Sequence, residues 1–195
     1  MRKIIKNKSE QQIEEILRGG GIGVIPSDTI YGIVGSALIP KTVEKIYELR
    51  KRSKNKPMII LISSLADLKL FNITLTRSQK TFLEKNWPNP LSVVLHCPDE
   101  NLSYLHRGQK SLAFRMPKDR WLLELLKLTG PLSAPSANLE GEKSAKSIEQ
   151  AKKYFGDKID FYINGGKVVS HPSTLIKLYN HKIEILRQGG YDINE

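Results

Sequence analysis

The sequence has a single cysteine, Cys97, among its 195 residues. One thiol cannot form a disulfide within the chain, and it does not supply the cluster of soft ligands that holds a structural zinc ion. Long apolar runs are also missing, since the longest aliphatic block, Met58 to Ile62, is far shorter than the roughly 20 residues of a membrane helix. The first twelve residues begin basic and turn polar, without the apolar centre of a secretory signal. We therefore expect a cytoplasmic protein that does not associate with membranes.

Several patterns of known catalytic sites are absent as well. The sequence has no Walker-type loop, no zinc-ligand spacing around its four histidines, and no nucleophile elbow, because Ser136 lacks flanking glycines. The glycine-rich stretch Gly19 to Gly23 follows a helical pattern and precedes a β-branched run, the reverse of the order in dinucleotide-binding loops. We interpret it as the end of a helix, and we expect Cys97 and Trp87 to be packing residues.

Composition points to one folded unit with a basic surface. With 39% hydrophobic and 26% charged residues, residues 1–195 are expected to form a single domain with a sizeable core. Lys and Arg number 31 against 20 Asp and Glu, which gives a formal net charge of +11. Such a surface attracts polyanions. Charge alone leaves open whether the partner is a nucleotide or a nucleic acid.

Periodicity and cap residues predict helices separated by short strands. The expected helices begin at Ser9, Pro40, Thr76 or Ser78, Asp119 and Ser147. The expected strands are residues 22–25, 30–34, 58–62, 91–95, 111–115, 131–134, 161–163, 174–178 and 183–186, with Asn180 and His181 turning the last two into a hairpin. Because strands sometimes follow one another directly, these elements indicate the α+β (mixed α/β) class, with a mixed sheet flanked by helices.

Two segments carry candidate chemistry. The polar turn 26–28 lies between two strands, and the basic run 50–56 lies between a helix and the strand that begins at Met58. Cations at the end of a helix are often only solvated partners of its macrodipole. Held on ordered backbone, the same cations could instead clamp a triphosphate. The residues leave both interpretations open.

Seven short segments, in this order, resemble motifs of the YrdC/Sua5 family. They are PSDTIYGI (26–33), RKR (50–52) with KPM (56–58), WPNPLS (87–92), LAFRMP (112–117), APSAN (134–138), PST (172–174) and ILRQG (185–189). The resemblance covers nearly the whole chain and implies a YrdC/RibB-like fold with a twisted mixed sheet. It also implies an L-threonylcarbamoyladenylate synthase, a nucleotidyltransferase that forms threonylcarbamoyl-AMP and pyrophosphate from L-threonine, bicarbonate or CO2, and ATP.

The resemblance further implies partners and site residues. Mg²⁺ is expected to accompany ATP, and a separate threonylcarbamoyl-transferase complex would transfer the threonylcarbamoyl group of the product to position 37 of tRNA, which gives t6A. The expected catalytic residues are Arg50, Arg52 and Lys56. Arg52, Lys56, Ser111, Ser136, Asn138, Ser144 and Arg187 would bind ATP, and Thr29, Arg115 and Ser173 would bind threonine. No metal ligand is assigned, and a contribution from Asp28 is left open. We expect Arg50, Arg52 and Arg115 to face one common hollow.

Departures from the family pattern qualify these expectations. Arg50 stands where the family has lysine, and a planar guanidinium is not equivalent to an ammonium. Asn89 and Ser92 replace a glycine and a threonine. The sequence stops soon after Arg187, so we expect the short single-domain form of the family.

Two alternatives to the synthase function remain open. The chain could be a double-stranded RNA or tRNA-binding module without synthase activity, which the positive charge also fits. It could instead resemble the YrdC-like domain of hydrogenase-maturation proteins, which uses carbamoyl phosphate, although the free-standing length argues against this.

Overall fold

The structure, a computed structural model, describes residues 5–6, 8–179 and 182–193. Ten strands in this part of the chain form one sheet. The strands are β1 (Ile5–Lys6), β2 (Ile22–Ile25), β3 (Gly32–Ser36), β4 (Ile59–Leu61), β5 (Leu91–His96), β6 (Ser111–Arg115), β7 (Leu132–Ser133), β8 (Phe161–Asn164), β9 (Thr174–Leu178) and β10 (Ile183–Arg187).

Six α-helices accompany the sheet in the described residues. They are α1 (Glu10–Arg18), α2 (Pro40–Leu49), α3 (Arg77–Asn86), α4 (Ser103–His106), α5 (Arg120–Thr129) and α6 (Ile148–Phe155). Shorter 3₁₀ turns cover Leu65–Phe71, Glu100–Leu102 and Gly156–Lys158. No helix among the described residues combines the length and the apolar character needed to cross a bilayer.

The sheet is mixed, and its strand order is far from the order of the sequence. From edge to edge the strands run β1-β8-β2-β3-β7-β4-β6-β5-β9-β10. The pairs β2–β8, β4–β6 and β5–β9 are parallel, whereas neighbours such as β2–β3 and β5–β6 are antiparallel. The predicted mixed sheet is therefore confirmed. The short strand β7 lies between β3 and β4, which brings the segment after residue 133 to the middle of the sheet.

Helices cover both faces of the sheet, as the alternation of its core residues demonstrates. Successive strand residues enter different clusters, since Val24 packs in the larger core and Ile25 in the smaller one. The smaller cluster also contains apolar residues of α1 and α5, and the larger one contains residues of α2 and α6. Because side chains of a strand point alternately to opposite faces, each cluster occupies one side of the sheet.

Local signals in the sequence place most element boundaries correctly. Ser9 and Thr76 form the capping boxes of α1 and α3, and each satisfies otherwise free amides in the first helical turn. Gly19 ends α1, and Gly20 follows with φ of 88°, a conformation that glycine adopts readily. The interpretation of the glycine-rich stretch as a helix end is thus confirmed.

The start of strand β3 differs from prediction for a local reason. Strand β3 begins at Gly32 rather than at residue 30, because the Ser27 hydroxyl donates to the Ile30 carbonyl and accepts from the Thr29 and Ile30 amides. These bonds hold the preceding residues in a turn. Strands β9 and β10 pair antiparallel as expected, but the predicted turn residues Asn180 and His181 lie outside the described residues.

Tyr31 joins this turn to the chain after β8. The side chain is completely buried, and its hydroxyl donates to the Gly166 carbonyl and accepts from the Gly165 amide, both at 2.8 Å. Replacement Tyr31→Phe leaves these two backbone groups without that partner. We expect a loss of about 1–3 kcal/mol in the free energy of unfolding, the usual penalty for an unsatisfied buried polar group.

Urea denaturation measures this loss, and Tyr179→Phe is the matched control. The Tyr179 hydroxyl donates to Glu184 on the exposed surface, so its removal should change stability by less than about 0.5 kcal/mol. Equal stability of the Tyr31→Phe variant and the unmodified chain would contradict the assigned role of the hydroxyl.

Candidate active site

A cavity of about 210 Å³ lies against the central strands of the sheet. Its wall combines apolar strand residues with four arginines, Arg50, Arg52, Arg115 and Arg187, and with hydroxyl groups from neighbouring turns. The described residues that line it include no carboxylate. A small cavity with several cations and no lining acid favours an anionic ligand.

Arg50 sits at the inner wall and is held by the turn after β7. It follows the last residue of α2 and is only 2% exposed. Its Nε donates to the Asn138 carbonyl at 3.0 Å, and its Nη2 donates to the Ser136 hydroxyl and to Asn138 Oδ1 at 3.3 and 3.2 Å. Nη1 is buried without a hydrogen-bond partner. Three hydrogen bonds therefore fix the guanidinium and leave Nη1 without a partner.

Burial and a neighbouring cation lower the pKa of the Arg50 guanidinium. Desolvation, followed by the positive charge of Arg52, lowers the pKa of Arg50 to about 10, while Glu140 acts in the opposite direction. At neutral pH the side chain is still a cation. Because its charge is poorly compensated, an incoming anion would interact with it more strongly than with a solvated arginine.

Arg52 reaches the same cavity from the loop that follows α2. The chain reverses at Lys51, whose φ is 50°. The Arg52 guanidinium then donates through Nε to the Lys56 carbonyl and through Nη2 to the Pro57 carbonyl, both at 3.1 Å. The position of Arg52 therefore depends on the shape of its own loop.

Arg115 lines the cavity from the end of β6 and is bound to the turn before β3. Its Nη1 donates to Thr29 Oγ1 at 2.7 Å and lies 3.3 Å from Asp28 Oδ1. Burial lowers the pKa of Arg115, the carboxylate of Asp28 opposes that shift, and the charge of Arg187 adds to it. The Nε atom is buried without a hydrogen-bond partner. The arginine is thus fixed on one side and still has a free donor.

Arg187 completes the ring of cations from the edge strand β10. Its Nη2 donates to the Ser173 carbonyl at 2.8 Å, and the Ser173 hydroxyl is hydrogen-bonded to the Ser92 hydroxyl at 2.8 Å. Partial burial lowers the pKa of Arg187. The segment before β9 and the strand β10 therefore add one cation and one hydroxyl to the cavity.

Comparison with known proteins identifies the family. A model of the Sua5, YciO and YrdC proteins, described as "Telomere recombination", matches residues 15–189. The chain belongs to the Sua5/YciO/YrdC family. The resemblance inferred from the seven short segments is confirmed.

Curated relatives of this family member come from distant organisms. The threonylcarbamoyl-AMP synthase of Pyrococcus abyssi is 31% identical over 181 residues, covering 92% of this chain and 53% of the relative. A putative threonylcarbamoyl-AMP synthase of Methanocaldococcus jannaschii is 30% identical over 177 residues, covering 90% and 83%. The chain spans about half the length of the curated relatives from P. abyssi and Bacillus subtilis.

Solved structures agree with the fold. P. abyssi Sua5 complexed with L-threonine superposes with a TM-score of 0.84 at 30% identity, covering 93% of this chain and 54% of that one. Escherichia coli YciO has a TM-score of 0.82 at 22% identity, with 96% and 93% covered, and this likeness concerns the fold alone. The expected YrdC-type sheet flanked by helices is therefore confirmed.

The structure brings together most, but not all, of the site residues expected from the family motifs. Those that line the cavity are Thr29, Arg50, Arg52, Arg115, Ser136, Ser173 and Arg187. The common hollow expected for Arg50, Arg52 and Arg115 is thus present. The individual roles in binding ATP or threonine stay predictions.

Four expected residues lie elsewhere. Lys56 and Ser111 line an adjoining hollow of about 650 Å³ that shares Arg52 with the cavity. Asn138 is buried behind Arg50 and contacts it rather than the open space. Ser144 is not among the residues described as lining either hollow. An extended ligand could span both hollows, whereas Asn138 is hydrogen-bonded to Arg50 and is not among the residues that line either hollow.

Two residues near the site escaped the sequence analysis. Ser27 lines the cavity. Its position in the segment 26–33, two residues before Thr29, could have indicated this location. Glu140 pairs with Lys56 at 2.8 Å. No local pattern points to Glu140, because its partners lie more than 80 positions away in the sequence.

Inorganic pyrophosphate is a direct probe of this ring of cations. A ligand that binds only the native state at about 100 times its Kd adds about 2.7 kcal/mol to the free energy of unfolding. For a chain of this size we expect a Tm increase of about 5–10 °C, falling to less than about half of that in Arg52→Met because one guanidinium is lost.

Thermal unfolding with and without pyrophosphate checks this expectation. Arg18→Met is the control, because Arg18 lies on the exposed face of α1 and pairs with Glu14. An unchanged Tm increase in Arg52→Met, with the Arg18→Met variant behaving identically, would show that pyrophosphate binds elsewhere.

Proposed function

We propose that this protein is an L-threonylcarbamoyladenylate synthase, a nucleotidyltransferase that forms threonylcarbamoyl-AMP and pyrophosphate from L-threonine, bicarbonate or CO2, and ATP. The observation that carries the proposal is the meeting of four arginines, from three separate segments, around one small cavity. The phosphates of ATP and the carboxylate of threonine are anionic, and such a cavity suits them. The names of the curated relatives from P. abyssi and B. subtilis support the same reaction.

The threonine end is assigned to Arg115, Thr29 and Ser173. Arg115 is held by Thr29 and Asp28 through Nη1, so the rest of its planar guanidinium can pair with a carboxylate. Thr29 and Ser173 line the same cavity, and their hydroxyls can accept or donate hydrogen bonds. The solved complex of P. abyssi Sua5 with L-threonine supports threonine as the amino acid.

The phosphate end is assigned to the loop after α2. Arg50 and Arg52 line the cavity, and Lys56 lines the adjoining hollow. A triphosphate that extends from one hollow to the other would meet these cations in turn. Ser111, which lines the adjoining hollow, would then lie along the nucleotide, whereas the role of Ser144 rests on the family resemblance alone.

Chemistry at this site needs positioning and charge neutralisation more than proton transfer. The threonine amine adds to CO2 and releases a proton, or condenses with bicarbonate and releases water, to form a carbamate. An oxygen of this carbamate attacks the α-phosphorus of ATP. The bond from the α-phosphorus to the bridging oxygen then breaks, and pyrophosphate leaves with that oxygen. Preorganised guanidinium groups stabilise the charge that develops on the leaving group.

Mg²⁺ is proposed to enter with ATP and to neutralise its phosphate oxygens. The polar side chains that line the cavity are arginines and hydroxyls, and no group of three or more His, Cys, Asp or Glu side chains suited to a metal occurs among the described residues. Asp28 is occupied by Arg115 and by the Lys118 amide. The donor set therefore fits a cation carried by the phosphates rather than by a cage of protein ligands.

The product is a labile mixed anhydride that a separate transferase complex would use to modify tRNA, so catalysis here needs no RNA. We expect pyrophosphate release that requires L-threonine, bicarbonate and Mg²⁺, and that proceeds without RNA. Arg52→Ala should lower the rate about 30- to 900-fold, because loss of one preorganised donor costs about 2–4 kcal/mol in the transition state.

A coupled pyrophosphate assay, with chromatography of the adenylate, measures both effects. Arg18→Ala on the surface of α1 should retain full activity. Equal pyrophosphate release without threonine would refute the proposal. Steeply salt-dependent RNA binding without any adenylate would instead favour a nucleic-acid-binding module.

A second expectation concerns the amino acid alone. Arg115→Lys replaces a planar fork that contacts Thr29 by a single ammonium, so bidentate pairing with a carboxylate is lost. We expect the KM for threonine to rise about tenfold or more while the KM for ATP changes less than about twofold. Steady-state kinetics with each substrate varied measure the split, and the exposed Arg120→Lys is the control. A larger rise in the KM for ATP would move Arg115 to the nucleotide.

A further inference from the structure

Glu140 is attached to the loop 50–56 at three points. Its backbone amide donates to the Arg50 carbonyl at 2.8 Å. Its carboxylate accepts from the Ser53 amide at 2.5 Å through Oε2 and from Lys56 Nζ at 2.8 Å through Oε1. One residue therefore contacts the first, the fourth and the last position of the loop, which we call the basic loop.

The basic loop would not hold this shape easily by itself. Five of its seven residues are Lys or Arg, and like charges this close in sequence repel one another. Lys51 has a positive φ of 50°, which a residue with a Cβ rarely adopts. Internal support includes the bond from the Lys56 amide to the Ser53 carbonyl at 3.3 Å. A carboxylate that joins the middle of the loop to its end offsets both the repulsion and the backbone strain.

The shape of the basic loop determines where Arg52 points. The guanidinium of Arg52 is held by the carbonyl groups of Lys56 and Pro57. Glu140 binds Ser53 next to Arg52 on one side and the Lys56 side chain on the other. A displacement of either contact would move the two carbonyl groups and with them the guanidinium that lines the cavity.

The charge state of Glu140 agrees with this geometry. The hydrogen bond from Lys56, followed by that from the Ser53 amide, lowers the pKa of the Glu140 carboxyl. The carboxylate therefore stays ionised through the neutral range, where its bonds to the loop are charge-assisted. Glu140 also opposes the lowering of the Arg50 pKa, so it supports the cation at the start of the loop as well.

We propose that Glu140 is a positioning residue that holds the basic loop in the shape that presents Arg52, and beside it Lys56, to the phosphates of ATP. This inference rests on the proposed function for the identity of the ligand. Glu140 acts through the loop, so its loss should weaken the phosphate end of the site and leave the threonine end, built on Arg115 and Thr29, unchanged.

Two variants separate the two side-chain contacts. Glu140→Gln keeps an oxygen that can accept from the Ser53 amide but loses the ion pair with Lys56, whereas Glu140→Ala loses both. We expect the KM for ATP to rise about threefold in Glu140→Gln and about tenfold in Glu140→Ala. The KM for threonine should change less than about twofold. Glu142→Ala, an exposed acid two positions away, is the matched control and should behave like the unmodified protein.

Two measurements that need no catalysis accompany the kinetics. Hydrogen exchange at the Ser53 amide should become about tenfold faster in Glu140→Ala and stay near the original rate in Glu140→Gln, while the β2 amides keep their protection. The Tm increase caused by inorganic pyrophosphate should shrink in Glu140→Ala.

The outcomes separate the two proposals. Unchanged Ser53 exchange, or unchanged pyrophosphate and ATP affinities in Glu140→Ala, would overturn the role of Glu140. Equal rises in the KM for ATP and for threonine would overturn it too, because they indicate general damage to the site. A third outcome is that neither the unmodified protein nor any variant makes the adenylate, while Glu140→Ala shows faster Ser53 exchange and weaker pyrophosphate binding. This outcome would support the role of Glu140 and refute the synthase function.

Discussion

Four guanidinium groups surround a cavity of about 210 Å³, and their mutual repulsion has to be balanced within the protein. The balance comes from oxygen atoms of neighbouring turns, which hold Arg50, Arg115 and Arg187 by hydrogen bonds. A buried charge costs several kcal/mol unless such partners compensate it. Compensation is incomplete, because one nitrogen of Arg50 and one of Arg115 are buried without a hydrogen-bond partner. The folded chain thus keeps a preorganised site for anions.

The mixed sheet makes this arrangement possible. Strand β7 inserts between β3 and β4, so the turn that follows it reaches Arg50 from a position 88 residues away in the sequence. Strands β9 and β10 extend the sheet beyond β5 and bring Ser173 and Arg187 to the other wall. Each wall therefore depends on strand pairs that are distant in sequence.

Stability and function make different demands on these residues. Apolar replacement of a whole buried ion pair is often neutral or stabilising, whereas the loss of one partner leaves a charge uncompensated. Asn138 illustrates the second case, since it holds the Arg50 guanidinium through its backbone and side-chain oxygens. The basic loop illustrates a third, because its like charges are tied down by Glu140 rather than buried. The arginines and lysines that favour anion binding therefore lower the stability of the folded chain.

The sequence by itself determined the local structure and the family. Capping residues such as Ser9 and the stop at Gly19 set helix boundaries through bonds within a few residues, and the seven ordered segments identified the family that the match over residues 15–189 confirms. The turn at Ser27 shortened β3, although β-branched residues there favoured a strand, because a hydroxyl can compete locally with the strand pairing.

Only the tertiary structure decided which of the predicted residues share a wall. It placed Arg50 and Arg52 in one cavity with Arg115, moved Lys56 to the adjoining hollow, and set Asn138 behind an arginine. It also revealed Glu140, whose partners lie more than 80 positions away. Such contacts depend on strand order and on the directions of side chains, and neither leaves a periodic or local mark in the sequence.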